Sequence, residues 1–361
     1  MANCGQKAFR LLPTIFHYGS AAESRYQRHR SEGRDSWDWR SRKRCGAKCS
    51  QGFKHAAPVQ AELSGCRRRQ ESVIIMKMEN PFGAITLLWS ENFCAKDIWI
   101  FEKIRELGFT AVDIAVGDPE DFPVREAATA LKETGLVPVI TKALPHAYNP
   151  VSPDPNCRAA AVDYLKGIVD IAAAVDAQLV AGVIYAGWGY RTGAPCTEDE
   201  WKRSVECTRK VAEYAKDAGI TLAPEVINRY VTHILNTAAD GVRYCRDVGM
   251  ENVKVHLDTF HMMIEEESIS GAIRTCGKEY LGYFHTCENQ RGIPGTGMVP
   301  WREVFTTLHE IDYTGPVAIE SYAPNFVRIA GNSCIWRKFA SSGDEFARLG
   351  LRNLTEIIHE I

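Results

Sequence analysis

From residue 82 to the end of the chain, short apolar runs alternate with longer segments that are apolar on one face only, the texture of repeated β-α units on a parallel sheet. The predicted strands are GAITLLW (83–89), TAVDIAV (110–116), LVPVIT (136–141), QLVAGVIY (178–185), TLAPEVI (221–227), VKVHLD (253–258), LGYFHTC (281–287) and PVAIES (316–321). Predicted helices lie near 95–107, 122–134, 156–175, 197–218, 236–248, 266–277, 301–311 and 344–360. In ELGFT, ETGLV, DAGIT and YTGPV a glycine falls just past a helix end and before a strand, where a left-handed residue closes the helix. Eight such pairs over about 280 residues match the usual size of a (β/α)8 TIM barrel rather than two dinucleotide-binding halves. No GxGxxG fingerprint or P-loop is present; GWGYRTG (187–193) lacks the spacing and reads as a loop at the barrel mouth.

The first 78 residues carry no such pattern and are crowded with Arg, Ser and Gly. They hold 16 Lys and Arg against 6 Asp and Glu, whereas the remainder holds 27 against 39. The chain therefore divides into a basic extension, residues 1–78, expected to be disordered, and a barrel domain, residues 79–361. A nucleic-acid arm or an organelle presequence would explain the basic clusters. The simpler expectation is non-native upstream sequence, with Met76 or Met78 as the working start. No run approaches the roughly 18 apolar residues of a membrane span. The 12 cysteines lack metal or disulfide spacing, so reduced thiols in a soluble, cytoplasmic protein are expected, with no membrane partner.

In a barrel of this kind the loops after the strands converge on one pocket, so position along a strand is informative. Glu225, Asp258, His285 and Glu320 each fall late in one of four consecutive predicted strands. Taken singly, each has a bland reading: Asp258 as the cap of the turn before HMMIEEE, His285 as a satisfied core histidine, Glu265, Glu266 and Glu267 as acids at a helix start. Together they aim three carboxylates and an imidazole at one place, where mutual repulsion requires a divalent cation. Oxygen-rich ligation with one imidazole suits Mn2+, with Co2+ or Mg2+ as alternatives, better than a structural zinc site. Cys287 is placed on the pocket lining, and Trp89 and Trp188 are candidates for an apolar, substrate-binding rim.

The segments EVINRY, HLDTFHMMIEE, FHTCENQRGIPGTG and AIESY resemble, in order and nearly in spacing, those of the ketose 3-epimerases (D-tagatose and D-psicose 3-epimerase) among the xylose-isomerase-like barrels. The resemblance covers residues 82–361 and implies that Glu225, Asp258, His285 and Glu320 bind the metal while His261 and Arg291 hold substrate oxygens. The family commonly has a second Glu six residues after the first; here that position is Val231, which points away from the familiar hexuloses.

The implied activity is epimerisation of a ketose at C3 through a cis-enediolate, with Glu225 and Glu320 as acid and base on opposite faces. Aldose-ketose isomerisation and keto-sugar dehydration or cleavage are the alternative chemistries, and a catalytically silent, metal-stabilised sugar-binding barrel is the non-enzymatic one. A homodimer or homotetramer acting on a small-molecule sugar is expected. A nucleic-acid substrate is not: a nuclease of the same broad barrel group uses several zinc ions and more strand-end histidines, and the acidic barrel repels phosphates.

Overall fold

The computed structural model describes residues 80–322 and 326–361; the expectations for the basic extension, including the division at residues 78 and 79, lie outside them. All eight predicted strands form: β1 (Phe82–Ile85), β2 (Ala111–Ala115), β3 (Val137–Thr141), β4 (Leu179–Gly182), β5 (Thr221–Pro224), β6 (Val255–Asp258), β7 (Leu281–Thr286) and β8 (Val317–Ile319). They pair in parallel in the order β5-β4-β3-β2-β1-β8-β7-β6. Two isolated bridges, Leu222 with Val253 and Glu225 with His256, join β5 to β6 and bring the sheet round into a barrel.

The ten helices among the described residues are α1 (Trp99–Glu106), α2 (Val124–Thr134), α3 (Pro155–Ala174), α4 (Glu198–Asp217), α5 (Ala238–Val248), α6 (Thr259–Glu265), α7 (Ile269–Tyr280), α8 (Trp301–Glu310), α9 (Val327–Asn332) and α10 (Gly343–His359). Side-chain caps fix where several begin. Thr197 and Glu200 form a reciprocal capping box on α4, and Thr237 with Asp240 does the same on α5. None of the described helices is long and apolar enough to cross a membrane.

The strands are almost wholly buried because helices cover their outer faces while side chains fill the interior. Most of the apolar core lies between sheet and helices. The barrel interior is a separate, smaller cluster: Val139, Leu179, Ala181, Ala223, Tyr283 and Ala318. Three of these six are alanines, so the inner layer is thin and leaves room above it, at the C-terminal ends of the strands.

Several expectations need correction. The run GAITLLW is not one strand: after Ile85 the chain turns through a short 3-10 helix at Thr86–Leu88, and Leu88 is buried from that turn. The helix expected at 266–277 is two helices. Asp258 accepts from the Phe260 N–H to start α6 directly after β6, and Ser268 caps α7. Glu265 therefore ends a helix rather than starting one, and Glu266 accepts from the first N–H of the neighbouring α5. Gly108, Gly135 and Gly219 adopt the expected positive φ, but Gly315 does not; after α8 that conformation falls on Asp312. Gly315 is needed for space, since a Cβ there would lie 2.6 Å from the Tyr313 hydroxyl oxygen.

Candidate active site

Glu225 directly follows β5, Asp258 ends β6, His285 lies on β7 and Glu320 directly follows β8. One ligand atom from each of the four lies within 4.8 Å of all the others, and all four residues are buried. The strand register explains the convergence: Asp258 stands beside His285, and His285 beside Ala318, two residues before Glu320.

Asp258 caps a helix and belongs to the buried cluster as well. Its Oδ1 caps α6, while Oδ2 accepts from Nη1 of Arg291 at 2.9 Å. The same nitrogen donates to Glu320 Oε2 and to the sulfur of Cys287 at 3.1 Å. Cys287 is thus taken up by Arg291 and is not on the cavity wall where it was expected. Arg291 itself has φ 63°, unusual for a side-chain-bearing residue, and is pinned there by Ser321 Oγ donating to its carbonyl. The loop that carries it is organised by the buried carboxylate of Glu288, which accepts from the Gly295 and Val299 N–H groups and from the Trp301 indole.

Two residues absent from the sequence reading complete the centre. Asp113, in the middle of β2, accepts from Nε2 of His285 at 2.7 Å, from the Tyr283 hydroxyl at 2.8 Å and from the Thr141 hydroxyl at 2.5 Å. This carboxylate orients the imidazole so that Nδ1 faces the cluster, the arrangement that second-shell carboxylates impose on metal-binding histidines. His256, two residues before Asp258 and on the same face of β6, lies beneath it with its ring edge-on to that of His285, centroids 4.2 Å apart. A charged residue inside the apolar run TAVDIAV was the available signal for Asp113, since a buried carboxylate must have partners. Two of its three partners, Tyr283 and His285, are 170 and 172 positions away.

The electrostatics separate the two glutamates. Burial, reinforced by the field of Glu320, holds the Glu225 carboxyl well above the usual range. Burial also opposes ionisation of Glu320, but Arg291 and His285 outweigh it and hold that carboxyl well below. Burial pushes Asp258 up to about 7 against the pull of Arg291. For His285 burial disfavours the charged ring, yet Glu320 and Asp113 raise it well above the ordinary value. Burial and then Arg291 keep His261 neutral. The Asn228 N–H donates to His261 Nδ1 at 3.1 Å, and Nε2 lies 3.2 Å from Nη2 of Arg291 and 3.8 Å from Glu225 Oε1.

These groups fit a divalent cation. Three buried carboxylates share one site, and Nδ1 of His285 is buried with no hydrogen-bond partner among the described residues. A ring nitrogen left without a partner in the interior is costly unless something binds it.

The cluster forms one wall of a cavity of about 940 Å³ at the C-terminal mouth of the barrel. Glu225, His261, His285, Arg291 and Glu320 reach it, as does Tyr322, whose hydroxyl donates to Glu320 Oε1 at 2.8 Å. Trp188, from the GWGYRTG loop, and Lys142 line it as well. Trp89 is not on it: its indole N–H donates to Asp344 at 2.6 Å, fastening the β1 turn to the start of α10. Val231 is half-buried against the apolar core and also does not line the cavity.

The xylose isomerase-like TIM barrel family matches residues 101–341 of the chain. Among curated proteins, the D-psicose 3-epimerase of Agrobacterium fabrum is 35% identical over 260 residues, covering 71% of this chain and 90% of that protein. The L-ribulose 3-epimerase of Mesorhizobium japonicum is 35% identical over 259 residues, 71% of this chain and 86% of its own length. The solved structure of a D-allulose 3-epimerase from Methylomonas sp. in complex with D-allulose superposes with a TM-score of 0.73 at 31% identity, covering 77% of this chain and 96% of that one.

Proposed function

The chain belongs to the xylose isomerase-like TIM barrel family and is a carbohydrate epimerase, and we propose that it inverts C3 of a ketose with Glu225 and Glu320 as the two proton carriers. The observation that carries this reading is that Glu225 and Glu320, one following β5 and the other β8, bring their carboxyls to one buried cluster on the cavity. Their environments differ in direction, Glu225 raised by burial and Glu320 lowered against burial by Arg291 and His285, as suits an acid and a base.

Glu225, Asp258, His285 and Glu320 would hold a divalent cation, with manganese favoured and cobalt or magnesium as alternatives on the chemistry of an oxygen-rich set with one imidazole. When bound, it supplies Lewis-acid polarisation of the substrate's carbonyl end, lowering the cost of removing the neighbouring proton. Arg291 and the adjacent ring of His261 hold substrate oxygens from the same side. Glu320 accepts the C3 proton, and Tyr322 and Arg291 hold its carboxylate in place. Glu225 then donates a proton to the other face of the planar cis-enediolate, which inverts C3. For the product epimer the two exchange roles, so neither glutamate is dispensable in either direction. Trp188, which lines the cavity, offers an apolar surface to the sugar.

Incubating the metal-loaded protein with a panel of ketoses in D2O and following the products by NMR tests this assignment. Deuterium is expected at C3, together with the C3 epimer. Deuterium at C1 with formation of an aldose would replace the reading by aldose-ketose isomerisation, and loss of water or a shortened carbon chain would replace it by a lyase.

A further inference from the structure

Lys142 follows β3 directly, is only 7% exposed, and is no part of the machinery described so far. Its place is tightly fixed. Its N–H donates to the Ala181 carbonyl at 2.9 Å, and Gly182 packs so closely that a Cβ there would lie 2.5 Å from the Lys142 carbonyl oxygen. The ammonium donates to the carbonyls of Val116, at 2.9 Å, and Gly117, and sits 5.4 Å from the centre of the Tyr164 ring. An ammonium has three donors, so two carbonyls leave one, and the side chain lines the cavity.

No carboxylate pairs with this cation among the described residues. Burial pushes it down to about 8, Asp118 opposes that, and a second cation, Arg328 of α9, adds to it. Arg328 lines the same cavity, with its Nε 3.5 Å from Glu91. Two like charges are thus gathered on one wall although their mutual repulsion opposes it, and the more buried of them lacks a counter-ion.

The distance to the metal ligands gives this wall a meaning. Across the sheet, Lys142 N–H meets the β4 carbonyl of Ala181, and Glu225 N–H meets that of Gly182. Lys142 and Glu225 are therefore at similar heights two strands apart, roughly 10 Å at the usual strand spacing. A ketose gripped at its carbonyl end by the Glu225 cluster extends its remaining carbons, at roughly 1.3 Å of advance per bond, over much of that gap.

We propose that Lys142, with Arg328 beside it, binds a terminal anionic group of the substrate, a phosphate monoester or a carboxylate on the carbon farthest from the carbonyl. The proposal rests on the ketose epimerase reading for the placement of the other end of the sugar. A neutral terminal hydroxyl is the competing occupant, since Asp118 and Glu91 stand close to the two cations.

The test compares D-fructose, D-fructose 6-phosphate and D-fructuronate as substrates for the metal-loaded full chain and for Lys142→Met and Lys142→Arg, each checked for an unchanged melting temperature. Binding of the same three compounds is followed by calorimetry. The expected result is a kcat/KM at least about tenfold higher for one anionic ketose than for D-fructose, as a charge-assisted contact implies. The ratio should collapse toward one in Lys142→Met, through KM, and be largely kept in Lys142→Arg. Which of the two anions is preferred identifies the terminal group. Equal or better turnover and binding of D-fructose, or a preference that Lys142→Met leaves intact, would overturn the proposal while leaving the epimerase reading standing. Tight, Lys142-dependent binding of an anion without any C3 exchange would do the reverse.

Discussion

The two halves of the barrel mouth are built from opposite materials. The strands β5 to β8 end in Glu225, Asp258, His285 and Glu320, all ionisable and all within reach of one another. The strands β1 to β4 deliver Ile85, Ala115, Val116, Thr141, Gly182 and Val183 to the same cavity, with Lys142 as the cation among them. On the proposed mechanism one half carries proton transfer and the other carries shape. Substitutions on the first should abolish turnover whatever the sugar, and those on the second should change which sugar is accepted.

The sharpest way to break this division is at the two glutamates. Glu225→Gln and Glu320→Gln each remove a proton carrier and a ligand charge, so kcat should fall by at least about 10³-fold in either variant with the fold retained. Circular dichroism together with kinetics checks this; near-normal turnover in either would place proton transfer elsewhere.

Asp113 is the point where the shaping half reaches into the catalytic half. Asp113→Asn keeps the side chain's volume but weakens the acceptor that orients His285. Metal affinity should drop about 10- to 100-fold, measured by competition with a chelator, while the wild-type order of sugar preference is kept. A changed sugar preference would mean that Asp113 belongs functionally to its own half.

A pH series tests the charged half as a unit. Burial raises Asp258 to about 7, so below that pH it carries a proton that a metal must displace. The Glu225 carboxyl is raised as well, by burial and the field of Glu320. Affinity should therefore increase with pH and fall by about tenfold per unit and per displaced proton as the pH drops below about 7. Metal titrations between pH 5.5 and 8 check the slope; a flat profile would contradict the protonated state of these carboxyls.

The smallest effect is expected at Val231. The family resemblance placed a sugar-contacting Glu at this position, but Val231 packs on the core and does not line the cavity. Val231→Glu should alter the ratio of kcat/KM for D-fructose or D-tagatose over their 1-deoxy analogues by no more than a few-fold, as competition assays would show. A shift approaching a hundredfold would show that a longer side chain there does reach the sugar.

What the sequence revealed, and what it did not, follows from how local each signal is. Strand positions were legible because parallel strands covered on both faces give short continuous apolar runs. Their ends were not, as GAITLLW shows: Leu88 is as buried in the turn as it would be in a strand. The helix α6 was hidden because TFHMMIE has no apolar periodicity of its own and starts on the cap of Asp258, a residue already counted in the strand. The four candidate ligands were legible because each sits at the same end of a strand. The partners that tune them were not, because the link from Asp113 to His285 spans the barrel. Trp89 illustrates the converse: an aromatic at a strand end looked like a pocket wall, yet its indole N–H is committed to Asp344.

The central claim, that two opposed glutamates exchange the proton at C3, is tested most directly by solvent deuterium. The metal-loaded protein, held with its preferred ketose in D2O until equilibrium, should place one deuterium on C3 of both epimers and none on C1. Formation of the epimer with C3 still carrying its original hydrogen would contradict the account, because a proton that never exchanges with solvent cannot have passed through two carboxyls on opposite faces.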